Sequence, residues 1–367
     1  MTILSRRALL SSAAAVIMTR PMAAYAATPT TLRDAAQAKK LLYGTSVSPK
    51  FLDSDRGYSD LVAKQAGILV CEGATKRKSL QPERNRFNFE PADAVWTFAK
   101  KHDQQMRGHT FVWHESIPDW LLSYLAEDHP KDTILTDYIS VVGTRYKGRT
   151  HSWDVVNEVI DANDDSNGYM RTSSPWYKAF GEHYIDIAFH AAKEADPNAL
   201  LFLNETNMDI DNAWSAKVRK GVLDLIDRLL ARNVPIEGFG IQAHLKPFRA
   251  KYTDEVISKF MDEVMARGLK VLVTEMDISD IGGSSDLEVR DDAVASLAKR
   301  YLDVAFSKPH TLGCLTWGMT DRYSWLNTDP KYKWQDGQLS RALPFDSNLS
   351  PKPMFDALMR AYENRRA

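Results

Sequence analysis

Eight short apolar runs recur along the chain, each followed by a longer stretch with helical spacing. They are Leu42–Val47, Ile68–Cys71, 106–113, 152–156, 199–203, 238–243, 270–274 and 313–317. Runs of this length and character read as strands buried on both faces. Between them, residues 214–233 and 291–307 carry apolar side chains three and four positions apart, as an amphipathic helix requires. Strands alternating with helices imply right-handed βαβ units and a parallel sheet. Eight such units suit a single closed (β/α)8 barrel, an α/β fold, over residues 27–367. The competing architecture is an open, doubly wound sheet. That fold binds its ligand at a glycine-rich turn after the first strand, and no such turn follows Val47.

Composition narrows the partners. The 367 residues carry a net charge of −1, so binding driven by phosphate neutralisation is not expected and nucleic acid is set aside. No run after the first 26 residues is apolar over enough length to span a bilayer. The N-terminus reads differently. Arg6 and Arg7 precede a mildly apolar stretch at 8–18, and Ala24-Tyr25-Ala26 follows. This is the pattern of an export signal with a small-residue cleavage site, in the twin-arginine style. Residues 1–26 are therefore expected to be removed, leaving a periplasmic or secreted protein, free of the membrane and monomeric. Cys71 and Cys314 are the two cysteines; each sits in a strand-like run, and two buried thiols are expected.

In a (β/α)8 barrel the active site lies at the C-terminal ends of the strands. Glu158 closes the fourth run and Glu275 the seventh, so both carboxyls are expected in one mouth. Two facing carboxyls are the minimum needed to cleave a glycosidic bond: one gives a proton to the leaving oxygen, the other attacks or stabilises the sugar carbon. At short range both are not comfortably charged, and their proton affinities diverge. Asn157 adjoins Glu158 and can bond a sugar hydroxyl. Asp277 lies two residues beyond Glu275, on the same side of an extended segment. His244 ends the sixth run. A Glu275–His244–Asp277 chain would orient the second carboxyl and keep it ionised. His102, His109 and His114 do not have zinc-ligand spacing. With no dinucleotide fingerprint, P-loop or haem-type cysteine pair in the sequence, neither a metal nor a cofactor is expected.

The stretches "RGHTFVWH", "WDVVNE", "GFGIQAH", "VTEMD" and "TWGMTDRYSW" together resemble glycoside hydrolase family 10, the retaining endo-β-1,4-xylanases. The similarity runs from about Tyr43 to residues 350–358. It implies Glu158 as acid/base, Glu275 as nucleophile, and carboxyls about 5–5.5 Å apart. Xylan or a xylo-oligosaccharide would be the partner. The resemblance further implies that His109, Trp113 and Gln242 contact the sugar bearing the cleaved bond, with Trp317 and Trp325 caging it. Glu72 and Lys76 would bind sugars toward the non-reducing end, and Asn204 would lie near the leaving group. The chain departs from the family pattern at Gly73, Arg77, Ser116 and Thr206. Altered recognition beyond the central sugar is therefore expected, with the chemistry retained.

Overall fold

The computed structural model describes residues 30–334 and 336–365; the expected export segment, 1–26, lies outside them. Among these residues nine strands form the sheet: β1 Leu42–Val47, β2 Ile68–Cys71, β3 Gln105–Trp113, β4 Ser152–Asn157, β5 Leu200–Glu205, β6 Gly238–Ile241, β7 His244–Leu245, β8 Lys270–Ile278 and β9 Thr311–Thr316. Neighbours from β1 to β6 pair in order and in parallel, β9 returns to β1, and β6 pairs with β8 to close the ring. The two-residue β7 also pairs with β8. β6 and β7 are thus one stave, broken at Gln242 and Ala243, where Ala243 takes a φ of 60°. The result is an eight-staved (β/α)8 barrel.

The strands alternate faces with period two. Ile68 and Val70 join Phe202, Leu272 and Leu315 in the barrel interior. Leu69, Cys71, Leu201, Leu203, Val271 and Val273 face the helical layer. The helices earn their places by the same logic. In Ala213–Ala231, Val218, Val222, Leu225 and Leu229 form the buried stripe, and the Asn212 side chain caps the N-terminus at Ser215 N, 2.7 Å away. Cys71 and Cys314 are buried, free thiols on this outer side of the sheet.

The interior also holds charge. The guanidinium of Arg107 lies 4.5 Å from the centre of the Phe202 ring. It is ion-paired to Asp154, with both side chains almost wholly inaccessible. Removing one member of a buried pair leaves the other uncompensated, at a cost of about 3–5 kcal/mol. Arg107→Met is accordingly expected to lower unfolding free energy by that amount in urea denaturation. A loss under 1 kcal/mol would show that His109 alone suffices as a partner for Asp154.

The long segment after β9, 317–334 and 336–352, folds over the barrel mouth and is sewn down by buried ions. Asp280, two residues beyond β8, pairs with Arg290 at 2.6 Å, both fully buried. The same carboxylate accepts from Ser340 Oγ at 2.8 Å and from the Arg341 backbone at 3.2 Å. Lys352 reaches Asp321 at 2.8 Å in an equally dry setting. These contacts position the aromatic residues that this segment brings to the mouth.

Candidate active site

Strand geometry places the two glutamates differently. Glu158 follows the last residue of β4 and takes a left-handed φ of 55°. Its backbone is fixed from both sides: its N–H donates to Asn204 O at 3.0 Å, and Arg171 Nε donates to its carbonyl at 2.9 Å. Its carboxyl accepts from Trp113 Nε1 at 3.0 Å and from Gln242 Nε2 at 2.9 Å. Glu275, expected just past a strand, instead lies inside β8, which continues to Ile278 because β7 and the segment after β9 supply further partners.

Neutral amides link the two carboxyls. Asn204 Nδ2 donates to Glu275 Oε1 at 2.7 Å and to Asn157 Oδ1 at 2.8 Å. Gln242 reaches Asn157 Oδ1 at 3.4 Å as well as Glu158. Thr274 Oγ1 donates to Asn204 Oδ1 at 2.7 Å, which fixes the amide's orientation. Gly240 makes room for this: a Cβ there would fall 2.1 Å from Asn204 Oδ1.

On its other side Glu275 meets cations. His244 Nε2 is 3.4 Å from Glu275 Oε2, while its Nδ1 is 2.9 Å from Asp277. Trp325 Nε1 donates to the second Asp277 oxygen at 2.7 Å. Set between two carboxylates, His244 has its pKa raised well above the usual imidazole range, although burial acts in the opposite sense. Burial alone would push Glu275 up. The charges of His109, His244 and Lys76 outweigh it and hold the carboxyl at about 2. His109 is itself oriented by Asp154, 3.0 Å from its Nδ1.

Both glutamates open into one cavity of about 530 Å³ at the C-terminal ends of the strands. Lys76, His109, Trp113, Asn157, Gln242, His244, Asp277, Trp317 and Trp325 also line it. Two expected sugar contacts do not. Asn204, expected on the leaving-group side, is fully buried, because its amide is consumed by Glu275 and Asn157. Glu72 is half-buried, its carboxyl raised by burial and lowered in part by the charge of Lys76. Arg77 turns away from the cleft altogether: only 4% exposed, it stacks 4.1 Å from the Tyr138 ring and donates to Gln81 and the Ile134 carbonyl. A larger hollow, about 680 Å³ among the outer helices around Asp254 and Asp303, contains neither glutamate.

Sequence reasoning passed over several residues that shape this site. Asp154 and Arg107 stand inside quoted motifs, and a charged residue on a strand buried on both faces was the available signal. Glu205 is buried beneath Glu158 and accepts from Ile160 N at 3.0 Å and Thr206 N at 2.9 Å. Burial, with Glu158 adding, pushes its carboxyl up to about 8. Arg171 lies in a loop with no local pattern to flag it.

The sequence profile of glycosyl hydrolase family 10 matches residues 31–361. The chain belongs to that family. Endo-1,4-beta-xylanase B of Thermotoga neapolitana is 34% identical over 309 residues, 84% of each chain. Among solved structures, native xylanase 10B of Thermotoga maritima superposes with a TM-score of 0.81 at 31% identity, covering 91% of this chain and 98% of that one. The corresponding enzyme of Thermotoga petrophila, solved with xylobiose, gives 0.81 at 30% identity with the same coverage.

Against the family pattern, the departures now have positions. A Cβ on Gly73 would meet nothing within 4 Å, so the glycine leaves open space beside Lys76. Ser116 takes a φ of 53° in the loop after β3. Thr206, directly after β5, lines the cavity beside Asn207. Of Gly73, Arg77, Ser116 and Thr206, it is Thr206 that lines the cavity containing both glutamates.

Proposed function

We infer that this chain is an endo-1,4-β-xylanase that hydrolyses internal β-1,4-xylosidic bonds of xylan by double displacement, with retention of configuration. The observation that carries the reading is the amide-linked pair of carboxyls in one open cavity, with Glu275 held charged by its surroundings. In the first step a Glu275 oxygen attacks the anomeric carbon while protonated Glu158 gives its proton to the departing glycosidic oxygen, so the C–O bond to the leaving sugar breaks as the ester to Glu275 forms. In the second, Glu158 takes a proton from water, the water oxygen bonds to the anomeric carbon, and Glu275 leaves as carboxylate. Trp113 and Gln242 orient Glu158, whereas Asn204 and His244 orient Glu275. The indole faces of Trp317 and Trp325 suit the apolar faces of sugar rings. Support comes also from the named xylanases to which the chain is similar.

The test is a panel of xylan, cellulose and mixed-linkage β-glucan. Xylan should be cut internally, its viscosity falling ahead of reducing-end release, with the β-anomer as first product by NMR. Faster degradation of cellulose or β-glucan would overturn the xylan assignment, and an α-anomer would overturn the double displacement. We further propose that the enzyme acts outside the cytoplasm, as a periplasmic or secreted protein; the support is the Arg6-Arg7 pattern and its cleavage-like Ala24-Tyr25-Ala26.

A further inference from the structure

One wall of the cavity carries charge that cleavage of a neutral polymer does not call for. Tyr332, in the segment after β9, stands edge-on to Trp325 with ring centres 4.9 Å apart. Lys246 Nζ lies 5.2 Å from the Tyr332 ring centre and Lys331 Nζ lies 5.3 Å from it. All three residues line the cavity that contains Glu158 and Glu275. Among the described residues neither ammonium has a carboxylate within 4.0 Å. Of the carboxylates on this wall, Asp277 is engaged by His244 and Trp325 and Glu275 by Asn204 and His244, while Asp329 accepts through Oδ1 from the Lys331 backbone N–H at 2.8 Å.

Each ammonium rests beside the Tyr332 ring without a carboxylate partner among the described residues, and each gains from an anion brought to this wall. An unsubstituted xylan has none to offer. We propose that Lys246, Lys331 and Tyr332 form a subsite for a carboxylate carried by the glycan, namely a uronic acid side group on the xylose backbone. The ammonium groups take the carboxylate, and the tyrosine ring takes an apolar edge of the uronic sugar. The proposal rests on the xylanase reading and deepens it, because it gives this chain a preference for acidic xylan.

The experiment compares kcat/KM on xylan bearing uronic acid groups with kcat/KM on the same polymer after reduction of its carboxyls to alcohols. With Lys246 half-buried and Lys331 exposed, the wild-type enzyme should favour the acidic polymer by about three- to tenfold. The Lys246→Met/Lys331→Met double variant should lose that preference and keep its rate on the reduced polymer within about twofold. The Lys246→Arg/Lys331→Arg variant should retain it. Preference should weaken as salt is raised, and oligomers released by the wild type should carry the uronic group at a fixed position relative to the cut. Equal rates on both polymers, or a preference unchanged in the methionine variant, would overturn the subsite and leave two solvated lysines resting on Tyr332. Inhibition by free glucuronate that is equal on both polymers would likewise overturn it, in favour of a site for small free anions. A wild-type enzyme that cuts neither xylan but cuts another β-1,4-glycan fails at the level of the xylanase reading.

Discussion

Glu275→Ala abolishes turnover on every substrate, whereas Glu158→Ala leaves a large residual rate on aryl xylosides with good leaving groups. That is the expected result of dividing the work as the cavity divides its contacts. Without Glu275 no covalent intermediate forms, and leaving-group quality is irrelevant. Without Glu158 the first step lacks only its proton donor. For xylan, whose leaving group is a sugar hydroxyl, general acid catalysis contributes about 10²–10⁴-fold, a barrier increase of about 3–5 kcal/mol. An activated phenolate departs without that help, so the variant should form the intermediate and stall before hydrolysis. Stopped-flow with a dinitrophenyl xylobioside should show a burst of phenolate followed by slow turnover, and azide should restore the second step, releasing β-xylobiosyl azide. Equal loss in the two variants on the aryl substrate would show that the roles are wrongly assigned.

Substitution of His244 by asparagine should move the acid limb of kcat/KM upward by about 1–3 pH units, since that is what an adjacent opposite charge contributes. Glu275 is buried, and burial by itself favours the protonated, inactive form. In the wild type the surrounding cations reverse this and keep the carboxyl at about 2, so the nucleophile remains ionised at pH 4. Asparagine keeps the shape and removes the charge. The fraction of ionised Glu275 then falls within the mildly acidic range, and activity falls with it. The sign for stability follows from the same shift. Glu275 is more acidic in the fold than in the unfolded chain, where its value is 4.5. Its contribution to stability is therefore fully present above that value and is lost as pH falls toward 2. Full pH profiles of kcat/KM on an aryl xylobioside, with thermal midpoints at each pH, check both statements; an acid limb unmoved in the asparagine variant would contradict them.

Much of this arrangement was legible beforehand, for identifiable reasons. The strands stood out because a parallel barrel buries both faces, leaving unbroken apolar runs such as Ile68–Cys71. Glu158 and Glu275 stood out because each interrupted such a run. Local pattern does not report how far a strand extends, since that depends on neighbours distant in sequence. Hence Glu275 proved to lie within β8 rather than beyond it, and the sixth run proved to end at Ile241, its stave resuming at His244–Leu245. Nor does a motif say which way a side chain faces. Asn204 and Arg77 were expected at the cleft from their positions in motifs; one is spent inside the floor on Glu275, the other buried among Tyr138 and its neighbours. Lys246, Lys331 and Tyr332 carry no joint signal in sequence, because Lys246 lies in the loop beyond β7 and the other two in the segment after β9, and only the closed ring of staves brings them together.

The left-handed backbone at Glu158 has a consequence for how this chain can change. Side chains with a Cβ resist that conformation, at a penalty on the order of 1–3 kcal/mol, and glycine is the residue that would relax it. At this position backbone and side chain ask for different amino acids. What holds the glutamate there is its carboxyl: it answers the Trp113 and Gln242 donors, so a glycine would relax the backbone and orphan two polar groups. The residue that performs the chemistry is also the one that keeps its own strained position occupied.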